Sequence, residues 1–452
     1  MNVLDSQHLA GILQAHGWQP VEEPTGADLV LLNTCAVREK AVQKVLSRLG
    51  ELKTLKQTLG KPEVVGLCGC VAEQEGARIL AKTRVLDFVL GPGRLGQLPA
   101  ALASVEKREK IALTGFSETR DLDSHLIARP SSARQYVTVI HGCNQHCTFC
   151  IVPYTRGKEI SRPLSDILAE VQNLVAGGTK EITLLGQTIN AYRCPNSGAD
   201  FADLLTAVCR TEGLWRLQFI TSHPRFFTPK LIATLEKLPQ LGTYLHMPFQ
   251  AGSNRILKAM RRRYTREEYL ELVDRIRAVR ANVALSTDVI VGFPGETEED
   301  FQQTLDIVEK VQFSQLYGFI FSPRPKTPAA RYPDQVPKAE AQDRLNRLFL
   351  LQSSVSLALN QSLIGATVEV LVDGPAKRGA QLWQGRGEDN RVVNFPAWEG
   401  IRAGEVVPIR ITGATVHALL GERLWAETKS MNQITLPQGQ KGELVRRTLT
   451  DA

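Results

Sequence analysis

Apolar positions along this chain switch between a helical and a strand period, and the switching divides it into three regions. In residues 1 to about 125, Asp5 to His16 carries apolar side chains at helical spacing. Asp28-Leu-Val-Leu-Leu-Asn33 is a short apolar run suited to a buried parallel strand. Ala36 to Leu55 returns to the helical period. Glu63 to Leu67 predicts a second strand ending at Cys68-Gly-Cys70, Val71 to Leu80 a helix, and Val85 to Leu90 a third strand. This alternation predicts a small doubly wound α/β domain. Cys35 and Cys70 both fall at carboxyl ends of strands, where open α/β sheets place their ligands.

From about 133 to 330 the alternation recurs six times. The predicted strands are Tyr136–His141, Glu181–Leu185, Leu217–Thr221, Thr243–Met247, Val283–Val291 and Gln315–Phe321. Helical stretches at Leu164–Ala176, Phe201–Cys209, Pro229–Leu238, Ser253–Met260 with Arg266–Arg280, and Thr297–Val311 separate them. Six parallel strands with outer helices make a partial (β/α)6 barrel, whose active site is expected at the strand carboxyl ends. Gln187 and Asn190, Ser222 and His223, His246 and Gln250, and Asp288 all follow strands there.

Past residue 330, Pro333 and Pro337 mark a linker and Lys338–Asn360 predicts a helix. Five short β-rich runs follow, at Thr367–Val372, Leu382–Gly385, Val392–Phe395, Glu405–Ile411 and Ala418–Glu422. They predict a small β-barrel of the kind that binds nucleic acid. The segment holds seven Lys or Arg against eight Asp or Glu, so a structural appendage and an RNA grip both stay open. The last twenty-odd residues are polar and expected to fray. The expected domains are thus 1–125, 129–360 and 363–427.

Composition narrows this picture only slightly. A chain of 452 residues exceeds what one hydrophobic core normally serves. The net charge of +7 permits a polyanionic partner without requiring one. The start, Met-Asn-Val-Leu-Asp-Ser, has neither a basic flank nor an apolar stretch, and no run reaches membrane-span length. Eight cysteines, five of them in two groups of metal-like context, suit a reducing cytoplasm. Cys68, Cys194 and Cys209 are scattered and expected as small buried hydrophobes.

The sharpest chemistry lies in His-Gly-Cys-Asn-Gln-His-Cys-Thr-Phe-Cys, which places Cys143, Cys147 and Cys150 on one loop after the first barrel strand. Three thiols at C-x3-C-x2-C spacing can converge on a four-iron cube and leave one iron without a protein ligand. An open metal position suits catalysis rather than electron carriage alone. A zinc loop is the alternative, but zinc sites usually split their ligands into two halves. The densest basic patch is Arg261-Arg-Arg263 with Arg255, Lys258 and Arg266. Either it touches RNA, in which case replacing Arg262 and Arg263 by Ala weakens binding, or it is a solvated helix face.

The three-cysteine loop on a partial barrel resembles the radical S-adenosylmethionine (SAM) enzymes, and the whole chain, nearly end to end, resembles the methylthiotransferases among them. Asn33-Thr-Cys-Ala-Val-Arg38, Gly69-Cys-Val-Ala72, Arg156-Gly-Lys-Glu-Ile-Ser-Arg162, Leu185-Gly-Gln187 and Asp288-Val-Ile-Val-Gly-Phe-Pro-Gly-Glu296 carry the resemblance. Thr221-Ser-His-Pro224, Phe321-Ser-Pro-Arg-Pro-Lys-Thr-Pro328 and Gly385-Arg-Gly-Glu-Asp-Asn-Arg-Val-Val-Asn394 are most like the branch that acts on transfer RNA.

That resemblance implies a cluster domain, a radical barrel and a carboxyl-terminal TRAM domain. It implies methylthiolation of carbon 2 of an N(6)-isopentenyladenosine near the anticodon. SAM would chelate the open iron of the Cys143/Cys147/Cys150 cluster, and its one-electron cleavage would give methionine and a 5′-deoxyadenosyl radical. Side-chain acid–base chemistry cannot activate that aromatic carbon. Phe149 is expected against the cofactor's adenine, Gly186 and Gln187 at its methionine end, and Asp288 at its adenosine end.

A second [4Fe-4S] cluster, tied to sulfur supply, is implied at Cys35 and Cys70. The family's third cysteine would fall immediately upstream of residue 1, so a misplaced translation start is expected; Cys68 is a poor substitute because it lies so close to Cys70. A transfer RNA substrate, an electron donor such as a flavodoxin or ferredoxin, a sulfur source and a monomeric state complete the expectation. The alternatives are methylthiolation of threonylcarbamoyladenosine or of a ribosomal-protein aspartate, and, from another class, a non-catalytic RNA-binding protein.

Overall fold

In the computed structural model, which describes residues 1–35, 39–116, 127–129, 132–376, 379 and 381–424, the first region forms a four-stranded parallel sheet. In chain order it runs α1 (Asn2–Ala15), β1 (Leu29–Thr34), α2 (Glu39–Leu59), β2 (Val64–Gly69), α3 (Cys70–Lys82), β3 (Phe88–Leu90), α4 (Leu98–Glu106) and β4 (Ile111–Leu113). The sheet order is β1-β2-β3-β4. Alternation along the strands divides the core in two. Val30, Leu32, Val65, Leu67 and Val89 pack with Val45 and Leu49 of α2 and Ile79 of α3. Leu29, Leu31, Val64, Cys68 and Phe88 pack with Leu9 of α1 and Leu98 of α4. Helices therefore cover both faces, which keeps a parallel sheet dry. The apolar pattern did not reveal α4 and β4, because Ile111-Ala-Leu113 is too short to show a period. Ala36 to Arg38 and residues 425–452, including the expected frayed tail, lie outside the described residues.

The second region supplies β5 (Arg134–Thr138), β6 (Ile140–His141), α5 (Val152–Thr155), β7 (Ile160–Ser161), α6 (Leu164–Ala176), β8 (Glu181–Leu185), α7 (Phe201–Cys209), β9 (Arg216–Phe219) and α8 (Pro229–Lys237). It continues through β10 (Tyr244–His246), α9 (Asn254–Ala259), α10 (Arg266–Val279), β11 (Ala284–Val291), α11 (Glu298–Val311), β12 (Gln315–Ile320) and α12 (Lys338–Gln361). Strands β5-β8-β9 and β10-β11-β12 form two parallel sheets joined by a parallel bridge between Leu217 and Leu241. Together they make an open, six-stranded partial barrel. Val137, Ile182, Leu184, Leu217, Leu245 and Leu285 fill its core with apolar side chains of the outer helices. Capping boxes start α7, α10 and α11 at Asp200, Thr265 and Thr297.

One expected strand is divided. Tyr136–His141 breaks at Val139, so that β5 stays in the barrel while β6 turns out and pairs antiparallel with β7. This two-residue ribbon closes the base of the loop that carries the three cysteines. Val139 and Ile140 are both apolar and buried, so the run reads as one continuous strand and the sequence does not reveal the bend.

The third region is a closed barrel of β13 (Thr367–Pro375), β14 (Leu382–Arg386), β15 (Val392–Pro396), β16 (Val406–Ala414) and β17 (Ala418–Arg423), in the order β13-β14-β15-β17-β16. It docks under the amino ends of the large barrel's strands. The Glu388 carbonyl accepts from Gln218 Nε2 at 2.9 Å and from the Thr243 amide at 3.2 Å. Arg216 Nη2 donates to the Arg386 carbonyl at 3.2 Å, and Arg134 bridges Glu181 and Asp373 at 2.7 Å each. Among the described residues no helix is long and apolar enough to cross a membrane.

Candidate metal centre

The three-cysteine loop is shaped by its backbone. Gly142 turns the chain at φ +70°, and a β-carbon there would stand 2.0 Å from the Lys158 carbonyl oxygen, so only glycine lets the two ends of the loop approach. The Cys143 amide then bonds the Gly157 carbonyl at 3.2 Å, extending the ribbon. His146, at φ 49°, makes the left-handed turn between the first and second cysteines. Thr148 anchors the far side: its amide reaches the Met260 carbonyl at 3.1 Å and its hydroxyl the Ala259 carbonyl at 2.9 Å, both at the end of α9. The Cys150 amide closes a turn on the Cys147 carbonyl at 3.0 Å.

None of the three thiols is in a disulfide; Cys143 and Cys147 are buried and Cys150 is partly exposed. Burial pushes the Cys143 thiol up, although Thr188 Oγ1 at 3.2 Å and the Gln145 amide at 3.4 Å favour its thiolate. Enclosure of the Cys150 sulfur, with Cys147 and Cys143 nearby, pushes it up to about 12. A metal bound there would displace the thiol protons. Among the described residues no three His, Cys, Asp or Glu side chains converge tightly enough for a single ion. A cube takes one thiolate per corner and so spans a wider triangle than a single ion, and three thiols on one short loop are a donor set it accepts.

Around the loop, the carboxyl ends of β8 to β11 bring several groups together. Gly186 packs so tightly that a β-carbon would stand 2.3 Å from Ile140 Cγ2. Beside it, the Gln187 side-chain oxygen is buried without a hydrogen-bond partner among the described residues, next to the residue that touches Cys143. Asn190 clasps the backbone of His223, accepting from its amide at 2.8 Å and donating to its carbonyl at 3.0 Å. Burial, with Arg262, Arg225 and Arg263 near, holds the His223 imidazole down at about 2, so it is neutral. Thr221, just before it, sits at φ 68°, a conformation costly for a β-branched residue. His246 faces Asp288 at 3.6 Å, and its Nδ1 meets Ser286 Oγ at 2.9 Å. Phe149 is partly buried against the apolar cluster that includes Ile256, Leu257, Met260 and Phe293.

The amino-terminal thiols meet at one sheet edge. Register pairs Thr34 with Gly69, so Cys35 and Cys70 follow on adjacent strands. Gly69 has φ +88°, and a β-carbon there would collide with the Thr34 carbonyl oxygen at 2.5 Å. Arg156, buried on the far side of the three-cysteine loop, reaches Cys70 and pairs with Asp5 and with Asn2 Oδ1 at 3.0 Å. Cys68 points to the other side, into the core with Leu9 and Phe88, and burial pushes it up to about 12. It is a packing residue. No third metal-binding side chain joins Cys35 and Cys70 among the described residues, and two thiolates hold a four-iron cube poorly.

The arginine patch is corrected. Arg262 is buried, with its Nη1 3.4 Å from Cys147 Sγ. Arg255 pairs with Asp300 and Arg266 with Asp306. Lys258, Arg261 and Arg263 remain exposed. Thr188 and Arg262, which touch the sulfurs of Cys143 and Cys147, were not distinguished by sequence. A threonine after Gly-Gln and one arginine among three carry no periodic signal.

Known proteins share this arrangement. Residues 137–308 match the model of the radical SAM superfamily, residues 1–91 that of "Uncharacterized protein family UPF0004", and residues 361–424 that of the TRAM domain. Among solved structures, the radical SAM methyltransferase TsrM from Kitasatospora setae superposes with a TM-score of 0.51 at 14% identity, over 82% of this chain and 78% of that one. The cobalamin-dependent SAM radical enzyme OxsB gives 0.50 at 13%, over 77% and 53%. These two speak for the fold alone. The tRNA-2-methylthio-N(6)-dimethylallyladenosine synthase of Geotalea uraniireducens (strain Rf4) is 44% identical over 93% of this chain and 96% of its own length. The enzymes of that name from Acidovorax sp. (strain JS42) and Chromobacterium violaceum are 44% and 43% identical over 94% and 95% of this chain, and over 96% and 97% of their own. Similarity of that depth and extent, on a radical SAM barrel with three loop cysteines, makes this chain a member of the tRNA-2-methylthio-N(6)-dimethylallyladenosine synthase family.

Proposed function

We propose that this chain methylthiolates carbon 2 of N(6)-isopentenyladenosine near the anticodon of transfer RNA. The observation that carries the reading is 44% identity along 93% of the chain to a synthase of that activity, with a three-thiol loop at the barrel mouth. Held by Cys143, Cys147 and Cys150, a [4Fe-4S] cluster with SAM on its open iron would supply a carbon-centred radical able to take hydrogen from an aromatic carbon.

The protein's part is to position and exclude. The orphan oxygen of Gln187 suits a bound amino group, and the close packing of Gly186 keeps that strand end free of a side chain. Asp288, held near His246, is offered for the adenosine end of SAM, and Phe149 for its adenine from within its apolar cluster. Lys258, Arg261 and Arg263 are offered for phosphates of the RNA. Cys35 and Cys70 are two ligands toward a second cluster, to which no step is assigned. An electron donor such as a flavodoxin or ferredoxin, a sulfur source, a monomeric state, a cytoplasmic location and domain limits at 1–125, 129–360 and 363–427 belong to the same proposal.

Mass spectrometry of transfer RNA nucleosides from cells lacking the gene tests it. The expected result is loss of the 2-methylthio nucleoside and accumulation of its isopentenyl precursor. An unchanged 2-methylthio level contradicts the assignment.

A further inference from the structure

One arginine of the Arg261-Arg-Arg263 run turns inward. Arg261 and Arg263 adopt left-handed φ of 58° and 59°, and this double reversal sends their side chains to solvent while Arg262 is only 6% exposed. The guanidinium of Arg262 is held on all sides. Its Nε donates to Tyr264 Oη at 3.1 Å, Nη2 to the Pro248 carbonyl at 3.0 Å and Nη1 to Cys147 Sγ at 3.4 Å, and the Tyr264 ring lies 5.4 Å away. Every partner named is neutral unless the thiol ionises. Among the described residues no carboxylate stands within ion-pair distance of this cation.

Burying a charge without a counter-charge is expensive, and proteins rarely keep one unless an anion completes the site. Three thiolates on an iron–sulfur cube carry net negative charge, and each added electron deepens it. A fixed cation bonded to one ligand sulfur stabilises the reduced state more than the oxidised one, because the interaction grows with the charge it meets. The planar fork matters too. It serves sulfur, carbonyl and hydroxyl at once, which a lysine ammonium on a flexible stem cannot reproduce.

We propose that Arg262 is a positioning residue for the cluster at Cys143, Cys147 and Cys150, donating a charge-assisted N–H···S bond to Cys147 that raises the cluster's reduction potential. This rests on that trio binding an iron–sulfur cluster. It also separates the three arginines into two tasks: Arg262 faces the electron, and Arg261 and Arg263 face solvent.

The test is an EPR-monitored redox titration of oxygen-free, cluster-loaded full chain with dithionite as reductant and no SAM. A Cys35→Ala/Cys70→Ala background ensures that one cluster is read. Arg262→Gln is expected to disfavour the reduced state about tenfold, a midpoint lower by about 59 mV for a one-electron couple. Arg262→Lys falls between it and the parent, and Arg263→Gln matches the parent. An unchanged midpoint in Arg262→Gln, at full iron content, overturns the proposal and leaves Arg262 a packing residue. Should the glutamine variant fail to hold its cluster, the lysine variant decides: a lower midpoint supports the bond and an unchanged one overturns it. A parent that takes up no cluster removes the underlying assignment as well.

Discussion

At His223, burial and the cations of Arg262, Arg225 and Arg263 depress the imidazole's proton affinity to about 2. The unfolded chain binds that proton near pH 6.5, whereas the fold refuses it. Stability from this residue is therefore complete above about 6.5 and falls as the pH drops toward the folded value. The slope approaches about 1.4 kcal/mol per pH unit while only the unfolded state is protonated. Urea melts between pH 7 and 5 should show this decline, and His223→Asn should flatten it even though the variant is less stable at pH 7. An equal slope in both proteins argues against a buried neutral imidazole. His223 and Asn190 were legible as polar groups past strand ends. Arg262 was not, because a backbone reversal and not a residue type decides which of three arginines turns inward.

At the scale of elements, the ribbon of β6 and β7 fixes the cysteine loop, and Gly142 is its tightest point. Gly142→Ala must either leave the left-handed region or push away the Lys158 carbonyl, at a cost of about 1–3 kcal/mol. Iron uptake should fall with it, while far-UV circular dichroism shows the outer helices intact; normal iron content would mean the loop does not need that turn. Just past α9, replacing Arg261 and Arg263 by Ala should weaken RNA binding and lower its salt slope by up to about 2, if each meets one phosphate. Filter binding at two salt concentrations reads this directly, and an unchanged affinity removes these side chains from the RNA contact. Helices with a strong apolar stripe were legible to the residue: Leu164–Ala176 and Phe201–Cys209 fall where their periods end. The break at Val139 and the three-residue β4 were not, since runs that short carry no period of their own.

Over the whole molecule, the small barrel closes the floor of the large one, at the end opposite the cysteines. The Gly385–Asn394 motif, half strand and half loop, spends its contacts on that floor through Glu388 and Arg386. Sequence divided the chain correctly into α/β and all-β stretches, because composition and period both shift. It did not reveal how they dock, since docking rests on long-range contacts such as Arg216 with the Arg386 carbonyl and Arg134 with Asp373. Arg216 is held for that contact by a buried ion pair with Glu181, whose carboxylate Arg134 shares. Arg216→Met should cost about 3–5 kcal/mol, toward the low end because Arg134 remains. Limited proteolysis near residue 363 should accelerate in step. A variant as stable and as resistant as the parent would mean the floor contact is not what joins the two barrels.

What the loop thiols bind decides the chemistry of this protein. Metal and sulfide analysis with EPR on oxygen-free, reconstituted Cys35→Ala/Cys70→Ala protein asks this directly. One reducible four-iron cluster per chain, perturbed by added SAM and lost when Cys143, Cys147 or Cys150 becomes Ala, is the predicted result. Zinc, or no metal, with all three loop thiols intact would contradict it.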